Sequence, residues 1–331
     1  MRVGLHELNR VEELLTVVNF DTFELDWKLI YELDDQDIIG IYTNDGTSLV
    51  GVVSAVAYSH SPTECSLRDG VINPFGWIGN LVVHPDFRRR GLANLLATSA
   101  LEHLEIKRRC ERVLLDASPM GKHVYDQIGF HDAGFVHVMQ LAPSERANFG
   151  DPSAEQMATS SMVRIMDDAA MQQVCRLDAE IFGASRHVVL RKWRQLWPHG
   201  AVWVPGPDGK PLVYGFTHRR RECNYIGPIS VAPCTSAHTA EAVCEVLSHI
   251  IRECTTAGAG AIQPIVCQVL EPSPDHPSLK MTSHKINWRK RLETLGFECT
   301  ESNVRQVYSN HSHLAPGVPS CMVAIASLDL G

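Results

Sequence analysis

Two hydrophobic periods alternate along this chain. Leu8, Val11, Leu14, Leu15 and Val18 recur on one helical face, predicting a helix from Leu5 to Val18, and a second helical stretch follows from Phe23 to Leu33. Ile38 to Thr43 and Ser48 to Tyr58 are Val/Ile-rich runs joined by Asn44-Asp45-Gly46-Thr47, residues that tolerate positive φ, which predicts a hairpin. Trp77 to Val83 reads as a further strand, stopped at His84-Pro85-Asp86 because proline cannot donate to a ladder. Leu92, Leu95, Leu96, Ala100 and Leu104 then mark a helix from Gly91 to Lys107, with Lys107-Arg108-Arg109 at the negative end of its dipole. A strand at Arg112 to Asp116, a helix at Gly121 to Ile128 and strands through Phe130 to Leu141 complete this series.

From Ala142 to Ser161 the apolar period disappears into Ala, Ser, Pro, Gly and charged residues, which predicts a linker with a boundary near Asp151. The order then recurs. Helices are expected at Asp168 to Ile181 and His187 to Leu196, and a hairpin turns at Gly206-Pro207-Asp208-Gly209. A strand at Asn224 to Val231, a helix at Thr239 to Cys254, a strand at Ala261 to Val269, a helix at Lys285 to Leu295 and closing strands follow. Three local matches keep the same order in both series. Trp77-Ile78-Gly79 aligns with Tyr225-Ile226-Gly227, Leu49-Val50-Gly51 with Leu212-Val213-Tyr214-Gly215, and Gln127-Ile128-Gly129-Phe130 with Thr294-Leu295-Gly296-Phe297. This is the pattern of a divergent internal repeat with insertions. A length of 331 residues fits two domains of roughly 150 residues each, placed at 1–150 and 151–331.

Composition narrows the class. With 44% hydrophobic and 21% charged residues the chain has the make-up of a globular protein with real cores. Its formal charge of −8 repels a phosphate backbone, so nucleic acid is not an expected partner. No apolar run approaches the ~20 residues that cross a bilayer, and Met1 to Phe20 has no signal-peptide core, so the expectation is a cytoplasmic protein without membrane contact. Ten cysteines and 16 histidines are scattered without Cys-x-x-Cys pairs, which argues against zinc and predicts reduced thiols.

The densest chemistry lies in Leu81-Val82-Val83-His84-Pro85-Asp86-Phe87-Arg88-Arg89-Arg90-Gly91-Leu92-Ala93. A strand, a basic turn and a helix start offer unpaired backbone N–H groups and the positive end of a helix dipole. Gly91 and Ala93 lack the bulk that would keep a pyrophosphate from the backbone. No Gly-x-Gly-x-x-Gly and no Gly-Lys-Ser/Thr occurs, so dinucleotide and Walker-type sites lack their residues.

Here the sequence resembles the GCN5-related N-acetyltransferase (GNAT) family, whose acyl-CoA loop reads Arg/Gln-x-x-Gly-x-Gly/Ala after a strand. Arg88-x-x-Gly91-x-Ala93 fits that loop, and Tyr125, four residues before Gly129-Phe130, fits the family's second landmark; the likeness runs from Leu5 to Leu141. Leu114 to Gly121, Asp178, Phe182-Gly183-Ala184 and Ile226-Gly227-Pro228 are similar to tandem members whose second domain is degenerate. After Val231-Ala232-Pro233 this chain reads Cys234-Thr235-Ser236-Ala237-His238, without Arg-x-x-Gly.

The resemblance implies an α/β architecture of two tandem GNAT-like domains, each a mixed, mostly antiparallel sheet flanked by helices. It implies acetyl-CoA as co-substrate, held by Leu81, Val82, Val83, Arg88, Arg89, Arg90, Gly91, Leu92 and Ala93. It also implies direct attack by a primary amine of a small molecule or peptide on the thioester, with Tyr125 protonating the departing thiolate. The family often carries a carboxylate on the strand where this chain has Asn80; His84 and Asp116 are the remaining candidates for the base. An acyl-CoA-binding regulatory protein is the alternative, and a nucleic-acid module using the two arginine triplets is a third. Arg219-Arg220-Arg221 otherwise reads as a solvated strand end, Trp193 and Trp197 as helix packing, and Cys110 or Cys223 as a nucleophile only with a neighbouring base. Acceptor identity, acyl length and oligomeric state stay open.

Overall fold

The computed structural model describes residues 1–20, 24–58, 75–149, 162–233, 239–256, 263–272, 287–309 and 322–325. Helices α1 (Leu8–Val17) and α2 (Glu24–Leu33) precede a meander of β1 (Ile38–Tyr42), β2 (Leu49–Tyr58) and β3 (Phe75–Val83). Then come α3 (Leu92–Glu102), β4 (Arg112–Ala117), α4 (Lys122–Gln127) and β5 (His131–Leu141). A three-residue 3₁₀ turn, Leu5–Glu7, opens α1, and α3 widens into a π turn at His103–Lys107, together spanning the two predicted helices. Phe130 to Leu141 yields one long strand where several are predicted.

The second series is β6 (Arg164–Ile165), α5 (Asp168–Phe182), α6 (His187–Leu196), β7 (Val202–Pro205), β8 (Pro211–Arg219), β9 (Asn224–Val231), α7 (Thr239–Thr256), β10 (Ile265–Pro272), α8 (Trp288–Thr294), β11 (Glu298–Ser309) and β12 (Met322–Ala324). Local chemistry sets the ends of α5: Asp167 accepts from the Ala170 amide at 2.7 Å, and Gly183 takes φ 92° at the C-terminus. The boundary predicted near Asp151 lies outside the described residues.

The two series do not build separate sheets. One sheet runs β1-β2-β3-β4-β11-β5-β10-β9-β8-β7-β6, with β12 paired to β9 off this path. β11, from the second series, lies between β4 and β5 of the first, and β5 lies between β11 and β10. Each half therefore completes its sheet with a long strand of the other. Sequence periodicity assigns a strand to a face but carries no information on its lateral neighbour.

Alternation along β2 shows how the sheet is covered. Val52 and Val56 join a core that also holds Leu14, Trp27 and Phe75 of the first half and Phe182, Leu190 and Trp193 of the second. Val53 and Ala55 face a separate core with Leu96, Leu104 and Tyr125. A third core packs α7 and α8 against the second half, through Val246, Ile250 and Leu292. One face of the sheet thus carries a single core common to both halves.

Candidate active site

The β3 residues expected to form the site lie where β3 and β4 part. The two strands pair in parallel through three rungs, Phe75 with Arg112, Gly76 with Val113 and Trp77 with Leu114. Beyond Trp77 no strand among the described residues pairs with that edge of β3. A bulge follows, because the register against β2 shifts between Val52 and Ser54, and Asn80 takes φ 51°. The His84 amide donates to Val50 of β2 at 2.9 Å. Strand alternation then turns the Val83 amide to the open edge.

The turn after β3 is braced by its own arginines. Arg88 Nε donates to the Val83 carbonyl at 3.2 Å, and Arg90 Nη2 to the Asp86 carbonyl at 3.0 Å, with the Arg90 guanidinium 5.0 Å above the Phe87 ring. Arg89 and Gly91 are left-handed, at φ 60° and 76°. Gly91 caps α3, and a Cβ there would meet nothing within 4 Å, so the backbone lies open to an incoming group. Arg88, Arg89, Arg90 and Gly91 are all exposed, and Leu92 and Ala93 are half-buried. A cationic, solvent-facing turn at the start of an eleven-residue helix is a place where an anion is stabilised.

The proton-handling candidates stand in different surroundings. Tyr125 is buried on α4, its ring 5.9 Å from that of Phe130, and burial pushes its phenol above the ordinary value of 10.0. Asn80 is buried, with Nδ2 3.5 Å from Ser54 Oγ and Oδ1 without a hydrogen-bond partner among the described residues. An orphaned buried carbonyl oxygen at a strand opening fits a site that receives a donor from a ligand. His84 caps the short turn that follows β3: its Nδ1 accepts from the Asp86 amide at 3.2 Å. Asp116 is withdrawn from the list of bases. Both its carboxylate oxygens accept from Arg305 of β11 at 2.7 Å, and that guanidinium lies 4.7 Å from the Trp77 ring centroid. No sequence signal could place Arg305 there, because the contact follows from the strand exchange.

Other motifs resolve as structure. Cys110 is buried, and burial pushes its thiol up to about 12, which removes the thiolate a nucleophile needs. Cys223 is buried as well. Trp193 packs as expected, stacked 4.7 Å from the His218 ring. Of the second arginine triplet, Arg221 is exposed as a strand end would be and donates to Thr16 at 3.3 Å, whereas Arg220 is drawn inward, 4.9 Å over Tyr225 and 3.8 Å from Asp26. These contacts tie the halves together.

Near the site, the second half contributes α5 and the turn after it. Phe182 lies 5.1 Å from both Tyr58 and Phe75, and Arg186 sits over Phe182 at 4.0 Å. Arg186 bonds Asp178 through Nε at 2.9 Å and Nη2 at 2.8 Å, and the Tyr214 hydroxyl donates to Asp178 at 2.5 Å. The matched residues Asp178 and Phe182 thus form a buried strut against the β2–β3 hairpin. Among the described residues no group of three His, Cys, Asp or Glu could hold a metal ion. No helix among them is long and apolar enough to cross a membrane.

Residues 7–130 match the model of the Acetyltransferase (GNAT) family. No curated protein matches the chain. Among solved structures, a Pyrococcus horikoshii protein described as an acetyltransferase superposes with a TM-score of 0.66 at 17% identity, covering 100% of this chain and 95% of its own. A GCN5-related N-acetyltransferase of Sphaerobacter thermophilus gives 0.57 at 14% identity, covering 95% and 94%. A tandem GNAT protein from the clavulanic acid biosynthesis pathway gives 0.58 at 15%, covering 92% and 94%. Residues 7–130 are thus similar to the GNAT acetyltransferase family, and the chain shares its fold over nearly its whole length with a tandem GNAT protein.

Proposed function

We propose that this protein is an N-acetyltransferase that moves the acetyl group of acetyl-CoA to a primary amine of a small molecule or peptide, using the β3–β4 opening of residues 1–150. The observation that carries this reading is the juxtaposition of a bulged, open strand edge with the exposed Arg88–Gly91 turn. Arg88, Arg89 and Arg90, the Gly91 backbone and the first amides of α3 at Leu92 and Ala93 would hold the pyrophosphate. Leu81, Val82 and Val83 would line the pantetheine arm, with the open-edge amides turned to the thioester oxygen, where negative charge grows.

In the reaction the amine nitrogen bonds to the acetyl carbon as the carbon–sulfur bond breaks. The sulfur takes the Tyr125 proton, and the nitrogen loses one to water or to a base. Tyr125 suits the donor role because burial keeps its phenol protonated. Asn80, through its unpartnered Oδ1, would orient the amine or the water that takes its proton. His84 is the first titratable side chain after β3. Residues 151–331 would shape the acceptor side through Phe182, Arg186 and their neighbours. A specific observation favours the second reading, an acyl-CoA-binding regulator without turnover: Asp116 is bound to Arg305 and Asn80 is not a carboxylate.

Thiol release from acetyl-CoA over a panel of amines tests the reading, together with an Arg88→Ala/Gly91→Asp variant. An aspartate at position 91 sets an anion against the pyrophosphate. The loss of a charge-assisted contact is worth about 1.5–3 kcal/mol. The expected result is acetyl-CoA affinity reduced by at least about tenfold. Unchanged affinity would remove the turn from the site.

A further inference from the structure

The second half opens its parallel pair as the first half does. β9 and β10 are joined through three rungs, Asn224 with Ile265, Tyr225 with Val266 and Ile226 with Cys267, and then part. Gly227 directly follows the last rung, and in the first half Gly79 lies two residues beyond the last rung at Trp77. In the first half no strand among the described residues enters the gap. In the second, β12 does. Met322 lies opposite Ser230 and Ala324 opposite Ile229 of β9, and the Ile325 amide donates to the Gln268 carbonyl of β10 at 2.8 Å. The segment is bonded to both lips of the gap.

Met322, Ile325 and the segment's backbone occupy the space. Met322 and Ile325 are 6% and 2% exposed and belong to the core shared by the two halves. Gly227 has φ 153°, and a Cβ there would lie 2.1 Å from the Ile325 carbonyl oxygen. Only glycine lets the returning chain pass this close.

We infer that the second half's cleft is a strand-accepting groove occupied in cis by residues 322–325, and that this occupant closes it to acyl-CoA. The inference rests on the reading of the β3–β4 opening as the acyl-CoA site. The pantetheine arm carries amide groups along an extended chain, so it bonds to an open strand edge much as a peptide strand does. The first half would offer that edge to pantetheine. The second has committed it to its own C-terminal segment, and the strand contributes both backbone bonds and buried apolar area.

Amide hydrogen exchange on the full chain, with and without saturating acetyl-CoA, tests the occupant. In the wild type the Ile325 amide is expected to exchange at least about a hundredfold more slowly than an unstructured amide, and acetyl-CoA should not change that rate. Ile325→Pro removes the donor to Gln268, and Gly227→Val drives a side chain into the Ile325 carbonyl. Either should raise exchange at the neighbouring Val323 and Ala324 amides by at least tenfold while β3 keeps its protection; the proline variant leaves the glycine intact if the valine variant does not fold. An unprotected Ile325 amide in the wild type, or deprotection of Ile325 by acetyl-CoA, overturns the inference. A protected Ile325 in a chain that binds no acetyl-CoA keeps the occupant and overturns the reading of the first cleft instead.

Discussion

Replacing Arg305 by leucine is expected to lower the unfolding free energy by about 3–5 kcal/mol. Arg305 is 4% exposed, and the Asp116 side chain it neutralises is 0% exposed. Once the guanidinium is gone, the carboxylate is left in a dry interior with a charge it must bury or protonate. The loss should exceed that of an exposed pair such as Lys122 with Asp126, for which about 0.5 kcal/mol is typical. The same substitution probes the strand exchange, because Arg305 sits on β11 and Asp116 on β4, directly opposite in register. Urea denaturation of the single variant and of Arg305→Leu/Asp116→Leu measures both. The double variant should recover most of the loss, since two apolar side chains of similar volume replace an ion pair at little net cost. A single variant within about 1 kcal/mol of wild type would mean that the pair does not hold β11 in place.

Tyr125→Phe is expected to reduce kcat by about 10²–10⁴-fold while acetyl-CoA affinity stays near that of the wild type. Phenylalanine keeps the ring buried beside Phe130, so packing is retained and only the proton donor is lost. The pH dependence follows from the direction of the shift. Burial raises the phenol above 10.0, so the protonated form that donates persists beyond pH 10. Any loss of kcat through this group appears above pH 10 and none below it. An alkaline limb near pH 8 that vanishes in Tyr125→Phe would contradict the burial argument. An unaffected kcat would place the donor elsewhere.

Much of this site was legible in the residues because its signals are local. A strand stop at Pro85, a glycine able to take φ 76° at position 91 and small residues at the helix start lie within one turn, and local sterics decide their conformation. The helices from Leu8 and Asp168 show their buried faces in the 3.6-residue period alone. What escaped depends on neighbours distant in sequence. Phe130 to Leu141 carries the alternation of a strand, yet nothing in it specifies that β11 and β10 flank it. The pairing of Asp116 with Arg305 and of Arg220 with Asp26 follows from that lateral order. The repeated Trp77-Ile78-Gly79 and Tyr225-Ile226-Gly227, read from sequence only as a sign of duplication, fall at the two strand openings. That one is filled by residues 322–325 is a property of the chain's return path.

Isothermal titration of acetyl-CoA into the 331-residue chain tests the central claim most directly. The account predicts one molecule bound per chain, with affinity reduced at least about tenfold in Arg88→Ala/Gly91→Asp. Two molecules per chain, no binding, or wild-type affinity in that variant would contradict it.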